Sequence, residues 1–375
     1  MSEPIRKPVH APESYDPKDV PEIMRLAERA RGQTDRPEAP RAAAASGGAG
    51  RVIAGLSKVD WSDATRQNEF VWSVISALGA LGEKLDYDYV CAVSGGPFRT
   101  YYTKGGYNHG NYTAANALWT VERTFRMLGY RATVHARSDF ETDRALIMRS
   151  IDRGVPALTL NGIVDTSDCC VIAGYDNDGG VLLGYSAFMC CCDDFTLDPT
   201  GYFRKPDWHS QETFRACGVI VTIDEKTPQP PKEEVYRETL RMAVRLLEGA
   251  DSAQAAMGLY AHDAYAQAIT GANRRGETGG AYFNMLCNNK MYLDKKFAAP
   301  FFAGMGNEAL ADIYRQINRL VAAYGKIIPH NFKHEKRLKK PKMVARFCEK
   351  LFAIRDLERR ALALMQAELL RLAAA

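Results

Sequence analysis

Residues 164–188, VDTSDCCVIAGYDNDGGVLLGYSAF, hold the strongest chain-reversal signal in this sequence. Asn177, Asp178, Gly179 and Gly180 are residue types that tolerate positive φ, and they separate two apolar runs, so two strands are expected to meet there as a β-hairpin. Any fold open to the chain must accommodate that hairpin. Two adjacent cysteines, Cys169 and Cys170, sit at its mouth, and Cys190, Cys191 and Cys192 follow just past its end. A strand sends neighbouring side chains to opposite faces, so Cys169 and Cys170 are poor disulfide partners; one is expected to face a cleft and the other the core. With the turn at Asn177–Gly180, Cys169 is expected opposite Phe188, with Cys190 one diagonal step beyond. Diagonal neighbours lie about 7–8 Å apart, workable for two ligands of one soft metal after rearrangement. The strong zinc signal is a repeated Cys-x-x-Cys pair, however, and neither CC nor CCC provides it. No metal and no cofactor are assigned.

Around the hairpin the chain divides by composition. GQTDRPEAPRAAAASGGAG, residues 32–50, mixes Pro, Ala, Ser and Gly without period, so residues 1–50 read as a flexible arm with one short helix near Val20–Arg31. Phe70, Val71, Val74, Ile75, Leu78 and Leu81 recur at helical spacing and predict a buried helix over 65–83. Next comes YDYVCAVSGGPFRTYY, an aromatic and β-branched run broken by a Ser94-Gly95-Gly96-Pro97 turn with exposed amides. Helices are expected over Thr113–Leu128 and Glu141–Asp152, and strands over Ala132–Ala136, Pro156–Leu160 and Gly218–Ile223. TPQPPKEE then marks a hinge, after which helical patterns cover Val235–Leu247, Ala253–Ile269, Ala309–Tyr324 and Val344–Leu370. The expected architecture is α+β over 51–226 followed by an all-α domain over 227–375.

The order helix, YDYVCAVSGGPFR, IDRGVPALTLNG and DCCVIAGYDNDGGVLLGYSAF resembles the papain-like domain family of butirosin-biosynthesis protein H, which is similar to the peptidases that trim bacteriocin leaders. Gly154-Val155-Pro156 and Gly174-Tyr175-Asp176 match the family's short strand motifs. GLYAHDAYAQAI, Gly258–Ile269, is similar to its helical companion domain. The resemblance implies a papain-like cysteine-peptidase fold, acyl transfer or amide hydrolysis on a small amine- or peptide-like substrate, and a place in natural-product biosynthesis. It also implies a thiolate at the start of the first central helix, a histidine on the following sheet, and an Asp or Asn to orient it. This chain departs at each position. The helix begins Arg66-Gln67-Asn68-Glu69-Phe70, the histidine position is Asp168, and the strand after the hairpin, Leu183-Gly184-Tyr185-Ser186-Ala187, lacks Asp and Asn.

Three residues are candidates for catalysis. Cys91 precedes Ser94-Gly95-Gly96, whose amides offer an anion-binding nest, although its apolar neighbours argue for a core residue. Asp168 and Cys169 should border the cleft, but a nearby carboxylate raises a thiol pKa and works against a thiolate at Cys169. Asn68, Glu69 and Asp168 form either a polar pocket, for acid–base work or for holding a cationic amine, or solvated ends of secondary structure. Arg99 offers a bidentate fork for a substrate carboxylate or an ordinary salt bridge. His109, in a Gly-rich loop, is a candidate substrate contact or an exposed loop residue. His135 lies in a strand, His209 follows Trp208 in a loop, and His262 reads as a helix residue of surface or core.

Partners are less constrained. The net charge of +4 balances 49 basic against 45 acidic residues, which does not call for nucleic acid. HNFKHEKRLKKPKM, 330–343, is a basic segment that lacks interleaved aromatic residues for base stacking. It reads as a solvated turn or as a dock for an acyl carrier protein, as the resemblance implies. The N-terminus lacks the apolar run of a signal peptide and no segment reaches about 20 apolar residues, so no membrane is expected and the chain is assigned to the cytoplasm with its thiols reduced. Leu351, Leu357, Leu362, Leu364 and Leu369 give the last helix a face for a homodimer or for the interior. Two further readings stand beside the enzyme: a catalytically inactive papain-like binding or assembly module, and thiolate metal or redox chemistry at the hairpin.

Overall fold

The computed structural model describes residues 50–59, 63, 65–104, 118–164, 169–190, 195–211, 214–215, 218–253, 255–276, 292–327 and 337–374. Its spine is an antiparallel sheet in the order β3-β9-β4-β5-β6-β8-β7. These strands are β3 (Tyr130–Ala136), β4 (Ala157–Leu160), β5 (Cys169–Asp176), β6 (Val181–Ser186), β7 (Thr196–Leu197), β8 (Phe203–Pro206) and β9 (Val219–Lys226). A short β1 (Arg51–Val52) adds to β5, with Arg51 opposite Tyr175 and Val52 opposite Gly174. Gly174 is required there, because a Cβ would stand 2.5 Å from the Arg51 carbonyl oxygen.

β5 and β6 form the expected hairpin, reversing through a 3₁₀ turn in which Asn177, Asp178 and Gly179 all have positive φ. Asp176 steadies it by accepting the Asn177 N–H and pairing with Arg204 at 2.7 Å on β8, a contact that holds its carboxyl below the usual range. Between Ile172 and Gly174 the ladder slips by one residue, so Cys170 pairs with Ser186. The expected Cys169–Phe188 pairing is therefore wrong: a bulge absorbs the extra residue, and β6 ends at Ser186 before a 3₁₀ turn, Ala187–Cys190. Alternation does send the two thiols to opposite faces. Cys169 joins the apolar cluster with Val171, Ala173 and Phe70, whereas Cys170 joins Ile172, Ile147, Trp208 and Phe214 on the other side. Both are fully buried, so neither lines an open cleft as expected.

Two helices, α1 (Glu69–Ala80) and α2 (Tyr87–Ser94), lie on the Cys169 side. The aromatic and β-branched run seen in the sequence is helical over α2, because local caps override its β-branched residues. The Asp86 side chain accepts from the Tyr89 N–H at 2.9 Å, and Gly95 closes the far end in the left-handed conformation. After a 3₁₀ turn at Gly96–Phe98 come β2 (Tyr101–Thr103) and α3 (Trp119–Met127); the expected helix start at Thr113 lies outside the described residues. A fourth helix, α4 (Phe140–Asp152), covers the Cys170 face.

Beyond the proline-rich hinge run α5 (Lys232–Glu248), β10 (Ala255–Met257), α6 (Leu259–Arg275), α7 (Ala298–Gly304), α8 (Glu308–Ile327) and α9 (Pro341–Ala374). The helix expected from Ala253 instead begins after Gly258, because Ala255–Met257 pair with Tyr101–Thr103 of β2. One apolar cluster runs without a break from the sheet through α1 and α2 into these helices. On α9, Leu351 is buried and Leu357, Leu362 and Leu369 pack against that cluster, so most of the expected dimer face is internal; Leu364 is exposed. Among the described residues no helix is long and apolar enough to cross a membrane. The helix near Val20–Arg31 also lies outside the described residues.

Phe98 shows how the two regions interlock. Its ring lies 5.8 Å from Phe302 and 5.7 Å from Tyr314, an edge contact in the second case, and all three are fully buried. Arg123 adds a polar tie, donating to the Val93 carbonyl at 2.8 Å and to Thr239 Oγ1 on α5 at 3.2 Å. Replacing Phe98 by Ala removes a buried ring shared by both regions and is expected to destabilise the protein by about 3–5 kcal/mol. Urea unfolding followed by near- and far-ultraviolet circular dichroism checks this; separate transitions for sheet and helices would contradict the shared core.

Candidate functional site

Buried polar side chains concentrate where the N-terminus of α1 meets the segment leading into α7. Asn68 caps α1: its Oδ1 accepts from the Val71 N–H at 3.3 Å, and its own backbone N–H donates to the Tyr87 hydroxyl at 2.9 Å. The remaining amide group reaches across the molecule, Nδ2 donating to Asp294 Oδ2 at 2.7 Å. Asn68 and Glu69, expected as pocket residues, are thus brought together at one helix end, but both are buried.

Asp294 is the residue that sequence reasoning missed. It lies 226 positions from Asn68, in a Tyr-Leu-Asp-Lys-Lys-Phe run that carries no motif. Burial pushes its carboxyl up to about 6, while the Asn68 hydrogen bond, Arg99, Lys296 and Lys295 pull it back toward the charged form. Its Oδ2 also crowds Gly96, where a Cβ would come 3.1 Å from that oxygen and 2.7 Å from Cys91 Sγ. Asp294, Cys91 and Gly96 therefore form one tight cluster.

That environment is wrong for a nucleophilic thiol. Burial, and then the Asp294 carboxylate, push the Cys91 thiol well above its ordinary value, with Arg99 offering only partial opposition. The expected amide nest is also occupied, since the Gly95 N–H caps α2 by donating to the Ala92 carbonyl at 3.1 Å. Cys91 is a core residue. Cys169 is the other thiol near this end: its carbonyl accepts from Ser73 Oγ at 3.2 Å, one turn along α1 from Glu69, but its side chain is in the core. Asp168 and His109 lie outside the described residues.

Arg99 is buried beside the cluster, and desolvation, opposed by Asp294, brings its guanidinium down to about 10. Its Nη2 donates to the Ser94 carbonyl at 3.2 Å and to Thr120 Oγ1 at 3.1 Å. Nη2 belongs to both two-pronged edges of a guanidinium, so the expected bidentate fork is not available. Among the described residues Nε and Nη1 have no hydrogen-bond partner.

A second buried network follows directly. Lys295 Nζ donates to Glu358 Oε1 at 2.5 Å and to Thr100 Oγ1 at 2.9 Å, and the other Glu358 oxygen lies 2.7 Å from His262 Nε2. His262 Nδ1 lies 2.8 Å from the Tyr292 hydroxyl. Burial drives the His262 pKa down; on Glu358 burial acts upward, but Lys295 and His262 together bring the carboxyl below its ordinary value. These directions fix one assignment: charged Lys295 and Glu358, with neutral His262 donating from Nε2 and accepting the Tyr292 proton at Nδ1. His262 is a core histidine.

The other histidines act locally. His135 Nε2 lies 3.0 Å from Thr222 Oγ1, and His209 sits between Arg137 and the buried Asp143, tying the loop around Trp208 to α4. Of the basic segment, 330–336 lie outside the described residues; Arg337 donates to the Ile327 carbonyl at 2.9 Å, and Lys339, Lys340 and Lys342 are exposed. Among the described residues no three His, Cys, Asp or Glu side chains gather as a metal site; Cys191 and Cys192 lie outside them.

Compared with known proteins, the sequence matches no family model and no curated protein.

The two networks make separable predictions. Asp294 has a folded pKa raised above the unfolded value, so its share of stability is present below about pH 4 and is lost as pH rises through 6, a handicap of about 3 kcal/mol at pH 7. His262 acts oppositely, since its lowered pKa costs stability as pH falls below about 6.5. Wild type minus Asp294→Asn isolates the first effect: wild type should gain on the variant by about 2 kcal/mol from pH 7 to 4.5, measured by urea midpoints. For the second, Glu358→Ala strands the buried Lys295 and is expected to cost about 3–5 kcal/mol, with the Lys295→Met, Glu358→Leu double variant recovering part of the loss.

Proposed function

We propose that this chain is a papain-like scaffold that works as a binding module and no longer carries out thiol catalysis. The layout of α1 against β5 supports the resemblance: the helix packs along the strand, and its N-terminus lies near the strand's start. Papain-like enzymes hold their thiol and histidine at those two ends. Here they carry Asn68-Glu69 and Asp168-Cys169.

One observation carries the reading. The Asn68–Asp294 hydrogen bond, 2.7 Å long and buried, fills the helix end where a substrate carbonyl would meet a nucleophile. It also sets a carboxylate beside Cys91, which opposes thiolate formation. Scaffold without thiolate leaves recognition as the function the fold still offers.

Acyl transfer or amide hydrolysis without a thiol is the second reading, and one observation favours it. A carboxyl titrating at about 6, as Asp294 does, suits general acid–base chemistry. Its burial and its hydrogen bond to Asn68 favour binding over turnover.

Iodoacetamide at pH 6 followed by peptide mapping tests the proposal. Native protein should show Cys91 and Cys169 labelled at least about tenfold more slowly than in urea, as buried protonated thiols require. Preferential labelling of either in the native state would overturn it.

A further inference from the structure

A pocket of about 220 Å³ opens beside the closed helix end, where Arg99, Thr100 and Trp119 meet Arg245, Leu246 and Met257. We propose that this pocket binds a small molecule bearing an oxyanion, either a carboxylate or a phosphate; the proposal rests on the binding-module reading and names its ligand class.

Three observations point to an anion. The first is Arg99, a residue of the pocket lining, whose buried guanidinium keeps Nε and Nη1 without a hydrogen-bond partner among the described residues. Leaving buried charged donors unsatisfied is costly, so such a group in a pocket wall marks a place for an acceptor. Because Nη2 is taken by Ser94 and Thr120, Arg99 meets an oxyanion through single N–H bonds.

The second is Arg245. Its guanidinium lies 4.1 Å from the centre of the Trp119 ring, a cation–π contact. It is exposed and so supplies the outer cation, as Arg99 supplies the inner one.

The third is the local charge. The carboxylate acting on Arg99 is Asp294, and Asp294 answers also to Lys295 and Lys296. Among the pocket's own lining residues the charged ones are Arg99 and Arg245, with no Asp or Glu. The opposite wall is apolar, with Leu246 and Met257, so the ligand pairs its oxyanion with a short hydrocarbon or ring. A pocket of this size admits a small acid and excludes a folded partner.

Thermal unfolding of the full chain, titrated with sodium benzoate, with inorganic phosphate, or with sodium chloride at matched ionic strength, tests this. Benzoate or phosphate should raise Tm beyond chloride, in proportion to the logarithm of concentration. A benzoate response identifies a carboxylate ligand, and a phosphate response a phosphate. Arg245→Ala, at an exposed position, should need at least about tenfold more ligand for the same shift, and Arg245→Lys an intermediate amount. Arg99→Gln should abolish the response; if it fails to fold, the Arg245 pair decides alone. Equal behaviour in benzoate, phosphate and chloride, or an unchanged response in Arg245→Ala, would overturn the site. Thiol labelling reads the binding-module proposal separately: a reactive Cys91 with Arg245-dependent anion binding defeats that proposal and leaves this one standing.

Discussion

The buried ammonium of Lys295 is the constraint on which the rest of the structure depends. A charge taken wholly out of water is tolerated only with a close counter-charge and satisfied protons, and Lys295 finds these in Glu358 of α9, Thr100 beside β2, and the Pro97 carbonyl. The three partners come from both sides of the proline-rich hinge. Satisfying one lysine therefore fixes the long C-terminal helix, the Gly96–Phe98 turn and the start of β2 in one arrangement. The apolar interlock of Phe98 with Phe302 and Tyr314 supplies the hydrophobic free energy, but it is less directional than the ion pair. Charge sets the register here, and burial of rings supplies the strength.

Its neighbour Asp294 uses that placement differently. Held beside Asn68, it puts an anion at the N-terminus of α1 and close to Cys91, and like charges in a low dielectric disfavour one another, so a thiolate there is opposed. A carboxylate at this place keeps a neighbouring thiol protonated, as it does Cys91. The helix end thus carries a hydrogen bond that ties two regions together.

How much of this could be read from the sequence depends on the range of each interaction. The hairpin followed from a local signal, the residue types of Asn177–Gly179 that take positive φ, and α4 covers the helix expected over Glu141–Asp152. The split of Cys169 and Cys170 between two faces followed from strand alternation alone. Helix α2 is marked in the sequence only by its Asp86 and Gly95 caps, which the β-branched run between them obscures. Strand β10 was misread as helix because its partner β2 lies more than 150 positions away, and pairing of that kind leaves no local trace. The site split along the same line. Asn68, Glu69, Cys91 and Arg99 were legible from motif order and do cluster, but Asp294, Lys295 and Glu358 matter only through contacts formed in the fold. Burial, which turned Cys91 and Cys169 from candidate nucleophiles into core, is a property of the packed whole.

Arg99 joins the closed helix end to the open pocket. Its charge stabilises the Asp294 carboxylate, and the same residue lines the pocket. An oxyanion entering the pocket would share that guanidinium with Asp294, two anions drawing on one cation across a buried region. Charging Asp294 and binding the anion are then mutually unfavourable, and by linkage each proton taken up by Asp294 favours the anion to the same degree. The carboxyl beside Asn68 would in this way tune the pocket, through electrostatics alone and with no movement of the backbone.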